Sequence, residues 1–202
     1  VRVARIEYRG TDREIIELAD GSSFFVLKSL RESSQIAADA EISIEACRRL
    51  SEESSYRFAK IKSVEYLSRR EYSRAQLVSK LSKFALSEAG VHSALDELAE
   101  LGYVSDERFA RAWLRSRLQR APEAEPLLVS GLAKRGVERT LARELARKAL
   151  EGREDEVLRE AFEKACRRSS SRKKVLGALA RRGFSYAHIQ RVLSAELDAL
   201  CD

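Results

Sequence analysis

The sequence predicts a mainly α-helical protein: a small N-terminal antiparallel β-sheet, then a tandem array of three three-helix modules, elongated and curved. Three observations predict it. β-Forming residues separated by turn signals are confined to the first 28 or so positions. Helical periodicity begins near Leu30 and persists to the end of the chain. The helical part also repeats itself every 47 to 51 residues, the mark of an array of small helical units. The sheet and a short helix take residues 1–50, and the modules 51–104, 105–151 and 152–202.

Val1, Val3, Ile6 and Tyr8 form the first β run. Gly10-Thr11-Asp12 is a turn, and Ile15, Ile16 and Leu18 form the second run. Asp20-Gly21 is a hairpin signal, and Phe24-Phe25-Val26-Leu27 follows as the third. Three strands cannot hide a face from water alone, so the sheet must lean on helices. Ile36 to Ala40 reads as a short helical turn or an irregular link. Ser43 caps a helix carrying Ile44, Cys47 and Leu50. The polar run Ser51-Glu52-Glu53-Ser54-Ser55 reads as a break or cap before a longer helix with Phe58, Ile61, Val64 and Leu67.

The repeat is anchored on Leu81, Leu132 and Leu179, each near the end of a short helix. Leu77, Leu128 and Val175 stand four residues before them, and Ala85, Gly136 and Gly183 four residues after. Next come Leu86, Val137 and Phe184, then a further helix in each copy. That helix carries Val91, Leu95 and Leu98, then Leu141, Leu145 and Ala149, then Ile189, Val192 and Leu193. Ser73 and Ser171 precede the short helices of copies one and three, and Ser87 and Ser185 the helices that follow. Ser73-Arg74-Ala75-Gln76 fits a capping box. Copy two has Ala124 and Glu138 at these places, so both caps are expected to be lost. Pro122 and Pro126 stiffen its joint, which Glu123 and Glu125 make acidic, and Pro126 suits a helix N1 position.

Between copies one and two, Gly102 is placed to close a helix in the left-handed conformation. Ser105 is placed to cap the next helix, and Asp106 and Glu107 put negative charge on its positive end. Val104 and Phe109 have the spacing of a hydrophobic staple. Phe109, Trp113, Leu114 and Leu118 make one apolar stripe.

Composition excludes several classes. The longest apolar runs, Phe24 to Leu27 and Leu127 to Val129, are far too short to cross a bilayer. Arg2, Arg5, Glu7 and Arg9 interrupt any secretory leader at the start of this sequence. Cys47, Cys166 and Cys201 are odd in number and far apart, which points to free thiols in a reducing cytosol. They lack zinc-site spacing, and His92 and His188 are isolated. No glycine-rich phosphate loop and no Ser/His/Asp set is present. Carboxylates alternate with Arg and Lys along helices, as solvated ion pairs do. No catalytic residue, cofactor or metal is expected.

The net charge of +6 is unevenly spread. Lys164, Arg167, Arg168, Arg172, Lys173, Lys174, Arg181, Arg182 and Arg191 lie in one stretch to Ala195 without a single acid, which leaves the rest of the chain at −3. Such a stretch is either a solvated basic surface or a surface for an acidic partner. Cations at 172–174 oppose the macrodipole of the helix they begin, a cost that a bound polyanion would offset. Only Phe184 and Tyr186 are nearby aromatics, so base stacking would not dominate.

These residues carry a family resemblance. It includes Tyr66-Leu67-Ser68-Arg69-Arg70-Glu71-Tyr72-Ser73, Leu77-Val78-Ser79-Lys80-Leu81 and Leu132-Ala133-Lys134-Arg135-Gly136-Val137. Its most specific piece is Gly102-Tyr103-Val104-Ser105-Asp106-Glu107-Arg108-Phe109-Ala110. The chain resembles the RecX family, bacterial regulators of the RecA recombinase. Leu18-Ala19-Asp20-Gly21 with Phe24 and Val26 is similar to the leader of some members, while the likeness is weak between Ser29 and Ser55. The acidic, proline-containing joint Gln119 to Pro126 departs from the basic, glycine-containing joint usual in the family. Ala85 stands where Gly is usual.

The resemblance implies a cytoplasmic, non-enzymatic, monomeric modulator of homologous recombination, DNA repair and the SOS response. It implies binding in the groove of the RecA filament and inhibition of filament extension, ATP hydrolysis and strand exchange. It implies no membrane and no cofactor. Arg69, Arg70, Arg167, Arg168, Arg172, Lys173, Lys174, Arg181 and Arg182 are then the candidates for contact with RecA or with single-stranded or duplex DNA. Gly102, Tyr103, Asp106, Phe109 and Ala110 are largely structural. Two other readings stay open: a stand-alone DNA-binding protein of helix-turn-helix-like units, and a helical scaffold for an unrelated partner.

Overall fold

The computed structural model describes residues 1–200, so Cys201 lies outside the described residues. Three strands, β1 (Val3–Tyr8), β2 (Arg13–Leu18) and β3 (Ser23–Leu27), form one antiparallel sheet in that order. Ile6 pairs with Ile16, and Ile16 with Phe24, so alternate residues share a face. Gly10 and Gly21 take φ of +107° and +85° in the two turns, where a side chain would be strained.

A short helix α1 (Lys28–Ser33) and a link without helix lead to α2 (Ile44–Leu67). The link is irregular, the second of the two readings of Ile36–Ala40. It runs beside β1, where Val3 N donates to Ala40 O and Asp39 N to Val3 O, both at 2.9 Å. Arg31 of α1 holds the buried Glu14 carboxylate at 2.6 Å and donates to Ile36 O.

The helices then follow one order three times, a short helix between two longer ones. The first set is α2, α3 (Arg74–Leu81) and α4 (Glu88–Glu100). The second is α5 (Asp106–Arg120), α6 (Glu125–Ala133) and α7 (Arg139–Leu150). The third is α8 (Glu154–Cys166), α9 (Arg172–Ala180) and α10 (Tyr186–Asp198). The three anchor leucines are fully buried. The three corner residues are left-handed alike, Ala85 at φ +52°, Gly136 at +83° and Gly183 at +86°. No helix among the described residues is long and apolar enough to cross a membrane.

By compactness the chain forms two units, Val1–Ser105 and one beginning at Asp106. In the first, the sheet packs on α2, as three strands require. Val3, Ile16, Leu18 and Val26 cluster with Cys47, while Phe25 on the alternate face of β3 meets Phe58 at 5.4 Å. Farther along α2, Ala59 joins Leu77, Leu81, Leu95 and Leu98 in a second cluster with α3 and α4. In the other unit, the second and third helix sets share one continuous core, from Phe109 and Leu114 through Leu145 and Leu158 to Leu193 and Leu197.

Three expectations are corrected. First, α2 runs unbroken through Ser51–Ser55. Those serines are not a cap but part of a small-residue face: Ser54, Ser55, Ala59 and Ser63 are all buried. A Cβ on Gly90 of α4 would lie 2.4 Å from Glu52 O and 2.7 Å from Ser55 Cβ, so large side chains cannot fit between these helices. Of the apolar residues read as the helix's stripe, Ile61 and Val64 are turned outward, at 70% and 41% exposure, while Phe58 and Leu67 are partly buried. Second, copy two keeps a cap, because the Glu138 carboxylate accepts from Leu141 N at 2.9 Å and from Thr140 Oγ1. Of the four expected serine caps, Ser73 and Ser185 form, and Ser73 completes its capping box with Gln76. Ser87 and Ser171 hold the position without a side-chain bond, and Ser87 N donates to Ser55 Oγ. Third, α6 begins at Glu125, so Pro126 is its second residue rather than N1.

Candidate binding surface

The basic stretch lies on the third helix set. Arg167 and Arg168 follow the end of α8, and Arg172, Lys173 and Lys174 make the first turn of α9. Arg181 and Arg182 lie beyond its other end, about 13 Å away along a nine-residue helix. That first turn contains no acid and Ser171 offers no side-chain cap, whereas α8 begins with Glu154, Asp155 and Glu156. The positive end of α9 therefore carries three more positive charges, against the macrodipole.

The fold sorts these cations into two groups. Arg172 pairs with Asp198 at 3.0 Å, tying α9 to α10. Arg182 is half-buried and donates to Ala161 O at 3.2 Å. Its pKa is lowered, by burial first and by the charge of Arg168 second. Arg191 and His188 both hold Asp155 at 2.7 Å, and Arg191 first, then His188, pull that carboxyl down to about 2. Against these, Arg168, Lys173, Lys174 and Arg181 are exposed and have no ion-pair partner among the described residues. Arg167 is exposed and reaches Glu163 only at 3.9 Å. The surface thus presents point charges suited to phosphate or carboxylate groups.

Arg69 and Arg70 belong to the first unit. Arg69 reaches Glu65 at 3.3 Å. The Arg70 guanidinium lies 3.9 Å from the centre of the Tyr72 ring, and Lys80 lies 4.9 Å from that of Tyr66. These cations cover the aromatic faces of their own unit.

The Gly102–Ala110 motif spans the boundary of the two units. Gly102 is left-handed at φ +75°, and Tyr103 N and Val104 N both donate to Leu98 O. Val104 is buried in a core of the first unit, while Phe109 and Ala110 are buried in that of the second. The two members of the expected staple thus serve different cores. Asp106 begins α5, and Tyr103 is 54% exposed.

The acidic joint has a partner that the sequence did not indicate. Arg117 grips the buried Glu123 carboxylate with two hydrogen bonds, at 2.9 and 2.5 Å. Ala124 N then donates to Arg182 O at 2.9 Å. Gly183 lies so close that a Cβ there would sit 3.3 Å from Leu127 Cδ1. The joint thereby holds the backbone at the corner of the third helix set. Sequence spacing could not reveal this, since the contact joins residues about 60 positions apart.

Comparisons with known proteins agree with this architecture. Residues 153–193 match the family model described as RecX, third three-helix domain. The chain is 35% identical over 144 residues to the regulatory protein RecX of Chromobacterium violaceum, covering 69% of this chain and 91% of that protein. It is also 35% identical over 138 residues to that of Chromohalobacter salexigens, covering 65% of this chain and 88% of the relative. A crystal structure of regulatory protein RecX shares the fold with a TM-score of 0.66 at 18% identity, over 96% of this chain and all of that one. The crystal structure of RecX from Lactobacillus salivarius gives 0.62 at 21% identity, over 72% of this chain and 98% of that one.

Proposed function

Because the chain belongs to the RecX family of regulatory proteins, we propose that it binds the RecA recombinase filament and inhibits its extension, ATP hydrolysis and strand exchange. It acts by occupancy rather than catalysis, as a cytoplasmic monomer. The observation that carries the reading is the group of exposed, unpaired cations around the start of α9, Arg168, Lys173 and Lys174. The cost of Lys173 and Lys174 to the helix is offset when an acidic surface of the filament, protein or phosphate, lies against them.

The test adds excess protein to RecA assembled on single-stranded DNA and follows ATP hydrolysis and filament length. The reading expects slower turnover and shorter filaments. Unchanged turnover and length at moderate salt overturn it.

The same cations favour a second reading, direct DNA binding by helix-turn-helix-like units. That reading expects strong DNA affinity without recombinase, falling with salt at a log–log slope of about −0.9 per phosphate neutralised. Binding that requires the filament favours the first.

A further inference from the structure

Arg172, Lys173 and Lys174 make the first turn of α9, and of these three only Arg172 has an ion-pair partner among the described residues. Its guanidinium stands 3.0 Å from the carboxylate of Asp198, the last residue of α10. Each member of this pair opposes its own helix. A cation at a helix start and a carboxylate at a helix end both meet the like pole of the macrodipole. Neither charge is placed there by the demands of its helix.

The packing of α10 does not require the pair either. Leu197, next to Asp198, is fully buried in one core with Val175 and Leu179 of α9. The Asp198 side chain is 69% exposed and that of Arg172 33%. An ion pair so open to water is weak, and a phosphate or carboxylate can take the place of Asp198. Arg182 differs, because its half-buried guanidinium donates to a main-chain oxygen. An anion must therefore displace Asp198 to reach Arg172, whereas Lys173 and Lys174 stand open. A partner with closely spaced anions has an advantage here. Once Lys173 and Lys174 hold part of it, its next anion stands beside Arg172 at high effective concentration. An isolated anion has no such help.

We propose that Asp198 is a built-in competitor for the α9 surface, which it occupies at Arg172 until a polyanion displaces it. It thereby lowers the affinity of the surface and favours dense anions over isolated ones. This inference rests on the reading of α9 as the contact surface and adds the residue that tunes it.

The test is fluorescence anisotropy of a labelled single-stranded oligonucleotide, a dense polyanion, with the full chain at low salt. Asp198→Asn keeps the shape of the side chain and removes its charge. It should bind about two- to fivefold tighter than the parent, the size expected for one exposed bridge. A pair that served only the fold would lose affinity on this change or leave it as it was. With Arg172→Gln already in place, Asp198→Asn should bring less than half that gain. Circular dichroism and thermal melts check that each variant folds. Unchanged or weaker binding by Asp198→Asn, or the same gain in both backgrounds, overturns the proposal. Lys173→Glu with Lys174→Glu separates this failure from that of the underlying reading. If that reversal leaves binding unchanged, or the parent does not bind at low salt, α9 is not the contact surface and both fall together.

Discussion

Ala85 holds a left-handed backbone at φ +52° in the corner where the other two copies use Gly136 and Gly183. A Cβ in that conformation costs about 1–2 kcal/mol, part of which a glycine loses again through its freer unfolded chain. Ala85→Gly should therefore stabilise the protein by about 0.5–1 kcal/mol, seen as a higher urea midpoint at unchanged slope. The requirement was legible as a repeat position. That an alanine tolerates it was not, because the sequence offers a residue type and not its φ. Asp155 makes the complementary case. Its folded pKa of about 2 lies below the ordinary 3.8, so its bonds to Arg191 and His188 stabilise the fold above about pH 4. That contribution is lost as pH falls through 2. Asp155→Asn should lower the melting temperature at pH 7, and the difference from the parent should shrink as pH falls towards 2 and vanish below it.

At the scale of elements, α2 shows how a correct helix was divided by a misread cluster. Serines before a helical run are commonly caps, but here they let α4 approach. The evidence for that lies in Gly90, over 30 residues away, and becomes visible only when the two helices cross. Gly90→Ala should cost about 1–3 kcal/mol, because the added methyl meets backbone rather than a movable side chain. Equilibrium unfolding measures it, and an unchanged midpoint would mean that α2 and α4 are less closely packed than described. The sheet and, among the described residues, the helices that follow α2 were legible from alternation, turns and periodicity, all local signals. The role of the acidic joint was not, since Glu123 reads as surface charge until Arg117 and the Arg182 corner surround it.

For the whole molecule, the repeat was legible and the sharing of cores was not. Spacing marks three similar helix sets, yet Leu158 of α8 stands in one core with Phe109 and Leu145. Leu158→Ala should therefore cost about 2–5 kcal/mol and lower hydrogen-exchange protection in the second and third helix sets together. Loss confined to the third set would contradict a shared core. The candidate site was legible as charge density. The sequence could not sort its members, because Arg172 and Arg182 look like Lys173 and Lys174 until Asp198 and Ala161 claim them.

The most direct test of the account is RecA ATP hydrolysis on single-stranded DNA, measured with this protein and with its Lys173→Glu/Lys174→Glu variant. The account predicts that the parent slows hydrolysis, and that the variant, with an unchanged circular dichroism spectrum, needs about tenfold or more protein for the same effect. Equal inhibition by both would contradict the assignment of α9 as the contact surface.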